Sequence, residues 1–183
     1  LKKLLLKSYE PFYRDVFNTI DKLSRHPLNE NKPMILIDVH DTGNRLLGRS
    51  GREDKTRKKK NIPPVVISNA PDEEIGDGMK GTAPKWWIED FREKLADKLG
   101  LEEKEIEINT VFKGGNIIRY FGNPENNRKL KKILGTKPIY AIQLEFNRAL
   151  YLDEVTQRTI PWKVRSVRNS LMETVQEMCE IID

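Results

Sequence analysis

The 183-residue sequence contains a single cysteine, Cys179. This excludes an intramolecular disulfide and a cluster of thiolate metal ligands within one chain. A reducing cytoplasm is the simplest compartment for such a protein. No apolar run approaches the roughly 20 residues that cross a bilayer, and residues 1–6 are too short and too interrupted by lysine to be a signal peptide. We therefore expect a soluble, cytoplasmic protein with no membrane partner.

Acidic residues are fewer than basic ones. The sequence has 28 Asp and Glu residues and 33 Lys and Arg residues, which gives a formal net charge of +5. The excess favours anionic partners, either small acidic substrates or nucleic acid. Positive charge is densest in residues 52–60, which makes a nucleic-acid-binding module an alternative function. However, Glu53 and Asp54 interrupt this run, and no aromatic residues alternate with the cations to stack on bases. Nucleic acid is therefore the less favoured partner.

Length and composition indicate one ordinary domain that spans residues 1–183. Apolar residues make up 37% of the chain, enough to fill a sizeable core. Charged residues make up 33% and are rich in lysine and glutamate, a composition typical of thermophile proteins. We find no internal repeat.

Apolar periodicity predicts helices that alternate with strands. The predicted helices are residues 9–25, with Pro11 in the first turn, 84–99, closed by Gly100, and 161–182. The predicted strands are residues 34–40, 65–68, 106–108 or 106–111, and 139–146. Residues 41–61 are rich in Gly, Arg and Lys and predict a long functional loop. The pattern predicts an α/β fold of three layers, in which helices cover both faces of a mostly parallel or mixed central sheet.

Polar residues occur at three places where a predicted strand ends, the edge at which α/β sheets bind ligands. The first place holds Asp38 and His40, which share one face of their strand. A neutral imidazole at a strand end is a good zinc ligand, and a nearby carboxylate can fix its tautomer. The alternative interpretation is a histidine that is simply hydrogen-bonded in a turn.

The second place is the glycine pair Gly114 and Gly115. Paired glycines let the backbone approach a ligand closely. Lys113 and Arg119, on either side of the pair, could hold a carboxylate, the arginine through two parallel hydrogen bonds. The alternative is a hairpin-like turn with solvated cations.

The third place is the last predicted strand, where Gln143 and Glu145 alternate with apolar residues and face the same way. A carboxylate beside a zinc-bound water can serve as general base. The alternative is a structural ion pair between Glu145 and Arg148 or Arg119.

Taken together and in this order, the three places resemble the N-formylglutamate amidohydrolase family, whose members have an Asp-x-His strand, a Phe-Lys-Gly-Gly loop and a Gln-Leu-Glu strand. The similar segments are residues 11–13, 37–40, 81–83, 109–119 and 141–154. The family is similar to the zinc carboxypeptidases and aspartoacylases. The resemblance therefore implies a phosphorylase/hydrolase-like fold and a Zn2+-dependent amidohydrolase that cleaves an N-acyl amino acid, such as an N-formyl one, or a similar small amide.

The resemblance also implies roles for individual residues. His40 would be a zinc ligand, Asp38 would orient it, and Glu145 would be the general base. The candidates for holding a substrate carboxylate are Lys113, Gly114, Gly115, Asn116 and Arg119.

The family's other zinc ligands, a His and a Glu, lie upstream of the first predicted helix, so we expect them before Leu1. His26 does not replace them, because it lies in a loop on the opposite side of the first strand from His40. The chain also departs from many relatives after His40, where it reads Asp-Thr-Gly-Asn, and this leaves the substrate open. A catalytically inactive relative is a further alternative.

Overall fold

The computed structural model describes residues 2–30, 32–43, 62–71, 81–153, 156 and 158–181. The strands are β1 (Met34–Thr42), β2 (Val65–Ser68), β3 (Ile106–Ile108) and β4 (Ile139–Asn147). The α-helices are α1 (Lys2–Ser24), α2 (Lys85–Leu99), α3 (Asn116–Phe121), α4 (Arg128–Leu134) and α5 (Pro161–Ile181). None of the helices in these ranges is both long enough and apolar enough to cross a membrane.

The four strands form one mixed sheet in the order β1-β4-β2-β3. β1 is parallel to β4, β4 is antiparallel to β2, and β2 is parallel to β3. β4 lies inside the sheet and is almost entirely buried, as its mostly apolar sequence requires. β1 forms one edge of the described sheet, and its last residues are partly exposed. The predicted mixed sheet is confirmed.

Helices cover both faces of this sheet. Successive side chains of β4 point to opposite faces, so β4 packs against helices on both sides. On one face, Ile142, Leu144 and Phe146 pack with α2 and α5, where Trp87 and Phe91 are fully buried. The opposite face is covered by α1, α3 and α4. Its buried residues are Phe17, Ile20, Met34, Phe121, Leu130, Leu134 and Ile139. The predicted three-layer α/β fold is thereby confirmed.

Several predicted boundaries agree with the structure. β2 has the predicted ends, β3 begins at the predicted residue and ends at Ile108, and α2 is followed by Gly100 in the left-handed region at φ 67°. β1 and β4 continue slightly further than predicted, through Thr42 and Asn147. Residues 44–61, which hold most of the predicted loop and the whole basic run, lie outside the described residues.

Other helix predictions are wrong. α1 begins at Lys2 rather than at residue 9, so Pro11 lies inside the helix and not in its first turn. The prediction missed α3 and α4, since helices of six and seven residues are too short to show an apolar period. Gly115 directly precedes α3, so the glycine pair leads into a helix and forms no hairpin.

Candidate active site

Four polar side chains lie together where the parallel strands β1 and β4 end. The register pairs Asp38 with Gln143, and His40 with Glu145. Because alternate residues of a strand share a face, all four lie on the side of the sheet that carries α1 and α3. The structure therefore brings together three residues that the sequence singled out on two strands, Asp38 and His40 on β1 and Glu145 on β4.

Glu145 is a buried carboxyl group, with 6% of its surface exposed. Gln143 Nε2 donates a hydrogen bond of 2.7 Å to Glu145 Oε1. Burial raises the pKa of Glu145 above its ordinary value of 4.5, while the hydrogen bond from Gln143 acts in the opposite direction. A carboxylate with a raised pKa holds an accepted proton more firmly, which suits a general base.

Neither arginine considered as an ion-pair partner of Glu145 fills that role. Arg148 donates two hydrogen bonds to Asp41, from Nε to Oδ2 at 2.7 Å and from Nη2 to Oδ1 at 3.2 Å. Arg119 lies on α3 and lines a different cavity. Within the described ranges Glu145 has no arginine partner, so the ion-pair interpretation is wrong.

The contact between Asp41 and Arg148 belongs to a cluster that the sequence analysis missed. Tyr151 Oη also donates to Asp41 Oδ2, at 2.8 Å. These hydrogen bonds, chiefly the one from Arg148, lower the pKa of Asp41, whereas burial and the bond to Asp41 raise the pKa of Tyr151 to about 12. The cluster joins the end of β1, next to His40, to the segment that follows β4. The available signal was the presence of polar residues just past the ends of two predicted strands.

The glycine pair approaches the site through its backbone. Gly115 N donates to Gln143 Oε1 at 2.7 Å, and a Cβ at this position would lie only 2.8 Å from that oxygen. Gly114 has a φ of 94°, a region that favours glycine. The predicted close approach is therefore present, and its partner is the side chain of Gln143. That bond orients the amide whose other end donates to Glu145.

Asp38 and His40 form a close but poorly aligned contact. His40 Nε2 lies 3.0 Å from Asp38 Oδ2, and the two side chains are 47% and 13% exposed. Asp38 Oδ2 is nevertheless a buried oxygen with no hydrogen-bond partner among the described residues. A buried, unpaired carboxylate oxygen is costly unless a cation or donor meets it. The pair is thus suited to a further positively charged group.

The described residues alone do not form a complete metal site. Within these ranges, no three His, Cys, Asp or Glu side chains lie close enough together to hold a metal ion. A catalytic zinc ion needs three protein ligands. His40 can provide one of them, and the unpaired oxygen of Asp38 shows that the surroundings suit positive charge. The fit to zinc is partial.

The predicted substrate-binding residues are divided between two places. Asn116 begins α3 beside the Gly115–Gln143 contact, and Lys113 is exposed just before the glycine pair. Arg119 faces a cavity whose lining includes none of Asp38, His40 and Glu145. The structure does not bring Arg119 to the carboxylate cluster.

Comparison with known proteins gives a relative of similar fold. The sequence matches no family model and no curated protein. The structure is similar to the crystal structure of N-formylglutamate amidohydrolase from Ralstonia eutropha JMP134, with a TM-score of 0.61 and 16% sequence identity. The chain shares the fold of part of that enzyme. The match covers 95% of this chain and 51% of the other, so the chain spans about half the length of the enzyme.

At this level of identity the similarity establishes a distant relationship of fold. It agrees with the fold that the three sequence segments implied. A fold similar to that of N-formylglutamate amidohydrolase does not by itself identify a metal, a substrate or the roles of individual residues in this chain. Those depend on the geometry at the ends of β1 and β4.

Proposed function

We propose that this chain carries the general base of a hydrolase that cleaves an N-acyl amino acid, such as an N-formyl one, or a similar small amide. The observation that supports this proposal is the buried carboxyl of Glu145, which has a raised pKa and faces His40 across the parallel pair of β1 and β4. The similarity in fold to an N-formylglutamate amidohydrolase agrees with it.

The proposed reaction moves one proton through Glu145. A Glu145 oxygen accepts a proton from the attacking water as the new C–O bond forms at the amide carbon. The same carboxyl then gives the proton to the amide nitrogen as the C–N bond breaks, which releases a carboxylic acid and an amine. Gln143 keeps the carboxyl oriented through its bond to Oε1.

Replacement of Glu145 by Gln tests this role. The variant keeps the shape of the side chain and an acceptor for Gln143 but cannot take up the proton. Turnover of an N-formyl or N-acetyl amino acid should fall by about 10²- to 10⁴-fold, with zinc content unchanged. Glu93→Gln, an exposed change of the same type on α2, is the matched control and should keep full turnover. Normal turnover in a folded Glu145→Gln protein would exclude Glu145 as the base.

We also propose that His40 is a ligand of a zinc ion and that Asp38 orients it, with further ligands from outside the described residues. Bound zinc would polarise the amide carbonyl and lower the pKa of a water molecule. The proposal rests on the unpaired buried oxygen of Asp38 beside a half-exposed imidazole.

His40→Ala should remove most of the zinc from the full-length protein without unfolding it, as measured by metal analysis and circular dichroism. The second histidine provides the control, because His26 lies just beyond α1 and His26→Ala should leave the zinc content unchanged. Equal zinc content in both variants would rule out His40 as a ligand. Absence of zinc from the parent protein would favour the inactive relative.

A further inference from the structure

Aromatic side chains of α1 and α3 form a continuous group at the surface. The ring centroids of Tyr9 and Tyr13 are 6.4 Å apart, those of Phe12 and Tyr13 5.7 Å, and those of Tyr13 and Tyr120 5.0 Å. Tyr9, Phe12 and Tyr120 are 57%, 44% and 45% exposed. A single exposed apolar side chain is ordinary, whereas a contiguous exposed group marks an interaction surface. We call these four residues the aromatic platform.

The ring of Tyr120 is held by its aromatic neighbours. Tyr13, Phe17 and Phe121 meet it at interplanar angles of 83°, 75° and 88°, which are edge-to-face arrangements. Asn127, which caps α4, also donates a hydrogen bond of 3.1 Å from Nδ2 to Tyr120 O. An exposed ring that is already ordered loses little conformational entropy when a flat ligand stacks on it.

Helix α4 adds a dense group of positive charges beside the platform. Residues 126–144 contain five lysines and arginines and no Asp or Glu. On α4, Arg128, Lys129 and Lys132 are exposed and form no ion pair with another described residue. A helix rises 1.5 Å per residue, so these three cations lie within about 6 Å along its axis. Cations grouped in this way attract phosphates and release their counterions.

Lys129 joins the cations to the rings. Its Nζ lies 4.1 Å from the centre of the Phe17 ring, whose centroid is 6.0 Å from that of Tyr120. Tyr9 and Phe17 are eight residues apart on α1, so the rings extend over about 12 Å before the cations begin. The surface therefore presents a row of rings that leads to a group of positive charges.

The acidic residues of this surface leave the α4 end positive. Glu125 Oε2 lies 2.6 Å from Lys131 Nζ. Asp15 Oδ1 lies 3.8 Å from Arg14 Nε. Glu10 lies at the other end, at the start of the platform. This distribution favours phosphate groups at α4 and flat, uncharged groups on the rings.

We infer that the aromatic platform and the cations of α4 together bind single-stranded nucleic acid, with little preference for sequence. Bases stack on the exposed rings, and phosphates contact Arg128, Lys129 and Lys132. The sequence counted against nucleic acid because no aromatic residue lies within the basic run 52–60. On this surface the rings come from α1 and α3 and the cations from α4, a combination that no local stretch of sequence shows. The inference does not depend on the proposed hydrolase activity.

Fluorescence anisotropy of the full chain with a labelled oligothymidylate tests this inference. About 12 nucleotides lie within the site sizes of single-strand binding proteins. Binding should be saturable, with a slope of about −2 for log K against log salt concentration, because each of three cations contributes about −0.7. A duplex of the same length should bind more weakly, because its paired bases cannot reach the rings. An oligouridylate distinguishes RNA from DNA as the better ligand, and tighter binding of either one supports the inference.

Two variants separate the rings from the charges. Tyr120→Leu keeps an apolar side chain but loses the stacking surface, so binding should weaken at least about fivefold with an unchanged salt slope. Lys132→Gln should make the slope shallower by about 0.7. The matched controls are Trp162→Ala and Arg168→Gln, which change an exposed ring and an exposed arginine of α5 on the opposite face of the sheet. Both controls should bind like the parent.

Three results would overturn the inference. Absence of saturable binding of the single strand up to about 100 μM protein at low salt would leave no site to assign. Unchanged affinity in a folded Tyr120→Leu protein would show attraction of phosphates to charge alone. Sedimentation with phosphatidylserine vesicles, without binding of either oligonucleotide, would identify a membrane-binding surface. Thermal unfolding of each variant verifies the fold, and the exposed change Lys132→Gln keeps the test informative if Tyr120→Leu does not fold.

Discussion

At the scale of single residues, Glu145 shows how burial raises the pKa of a carboxyl group. Alternation in each strand was sufficient to predict that Asp38 shares a face with His40, and Gln143 with Glu145. The sequence could not show that the two strands are neighbours, because pairing between distant segments leaves no local pattern. It also missed Asp41, whose partners Arg148 and Tyr151 lie 107 and 110 residues away.

The raised pKa of Glu145 predicts how stability depends on pH. The unfolded chain releases this proton near the ordinary pKa of 4.5, below the pKa in the folded protein. The protonated carboxyl group therefore contributes stability that is fully present below about pH 4.5. This contribution is lost as the pH rises through the pKa of the folded protein. Glu145→Gln removes this dependence. In metal-free protein, its thermal midpoint should match that of the parent at about pH 4 and exceed it at about pH 7. A lower midpoint than the parent at pH 7 would show that the carboxylate stabilises the fold.

The close approach of Gly115 to Gln143 predicts that a larger residue at position 115 destabilises the protein. In Gly115→Ala the new Cβ would meet Gln143 Oε1 at 2.8 Å, so Gln143 must move and its bond to Glu145 must weaken. We expect a loss of about 1 to 3 kcal/mol in the free energy of unfolding, together with reduced turnover.

The double variant Gly115→Ala/Gln143→Ala tests whether a steric clash with Gln143 causes the loss of stability. If the steric contact is responsible, the stability effects of the two changes should be strongly non-additive in a double-mutant cycle from chemical denaturation. Additive effects would mean that Gly115 acts through some other contact.

At the scale of elements, long helices and buried strands could be predicted because their apolar periods extend over enough residues. The helices that were missed or misplaced were short, or they began without a sequence signal. α3 has six residues and α4 has seven, so neither repeats its pattern often enough to be recognised. The missed helix also bears on the site, since Arg119 lies on α3 and lines a cavity whose lining does not include Glu145.

The capping of α4 by Asn127 gives a prediction about the stability of this helix. Asn127 caps the helix by accepting a hydrogen bond from Leu130 N at 3.1 Å, and its Nδ2 donates to Tyr120 O at 3.1 Å. Asn127→Ala should lower the free energy of unfolding by about 1 to 2 kcal/mol, because both bonds are lost at a buried position.

Asn127→Asp is the informative comparison, since an aspartate keeps the cap but lacks the amide donor. Its loss of stability in urea denaturation should fall between the parent and Asn127→Ala. An alanine variant as stable as the parent would show that α4 is held by packing alone.

At the scale of the whole molecule, the order of layers could be predicted from alternating helices and strands, whereas the order of strands could not. The candidate hydrolytic residues lie on β1 and β4, and a second, polar cavity lies at the end of β2 beside α3. Two glycines, Gly114 and Gly115, separate these regions, one against Ala70 and the other against Gln143. One short loop therefore contacts both.

The parallel pairing of β1 with β4 also determines when the candidate catalytic residues meet during folding. β2, α2 and β3 follow one another within residues 65–108, so their contacts close short loops. The β1–β4 pair requires the ends of a segment of about a hundred residues to find each other, which costs more chain entropy and proceeds more slowly. A newly made chain thus acquires much of its apolar core before His40 and Glu145 become neighbours. The candidate active site is therefore among the last parts of this fold to form.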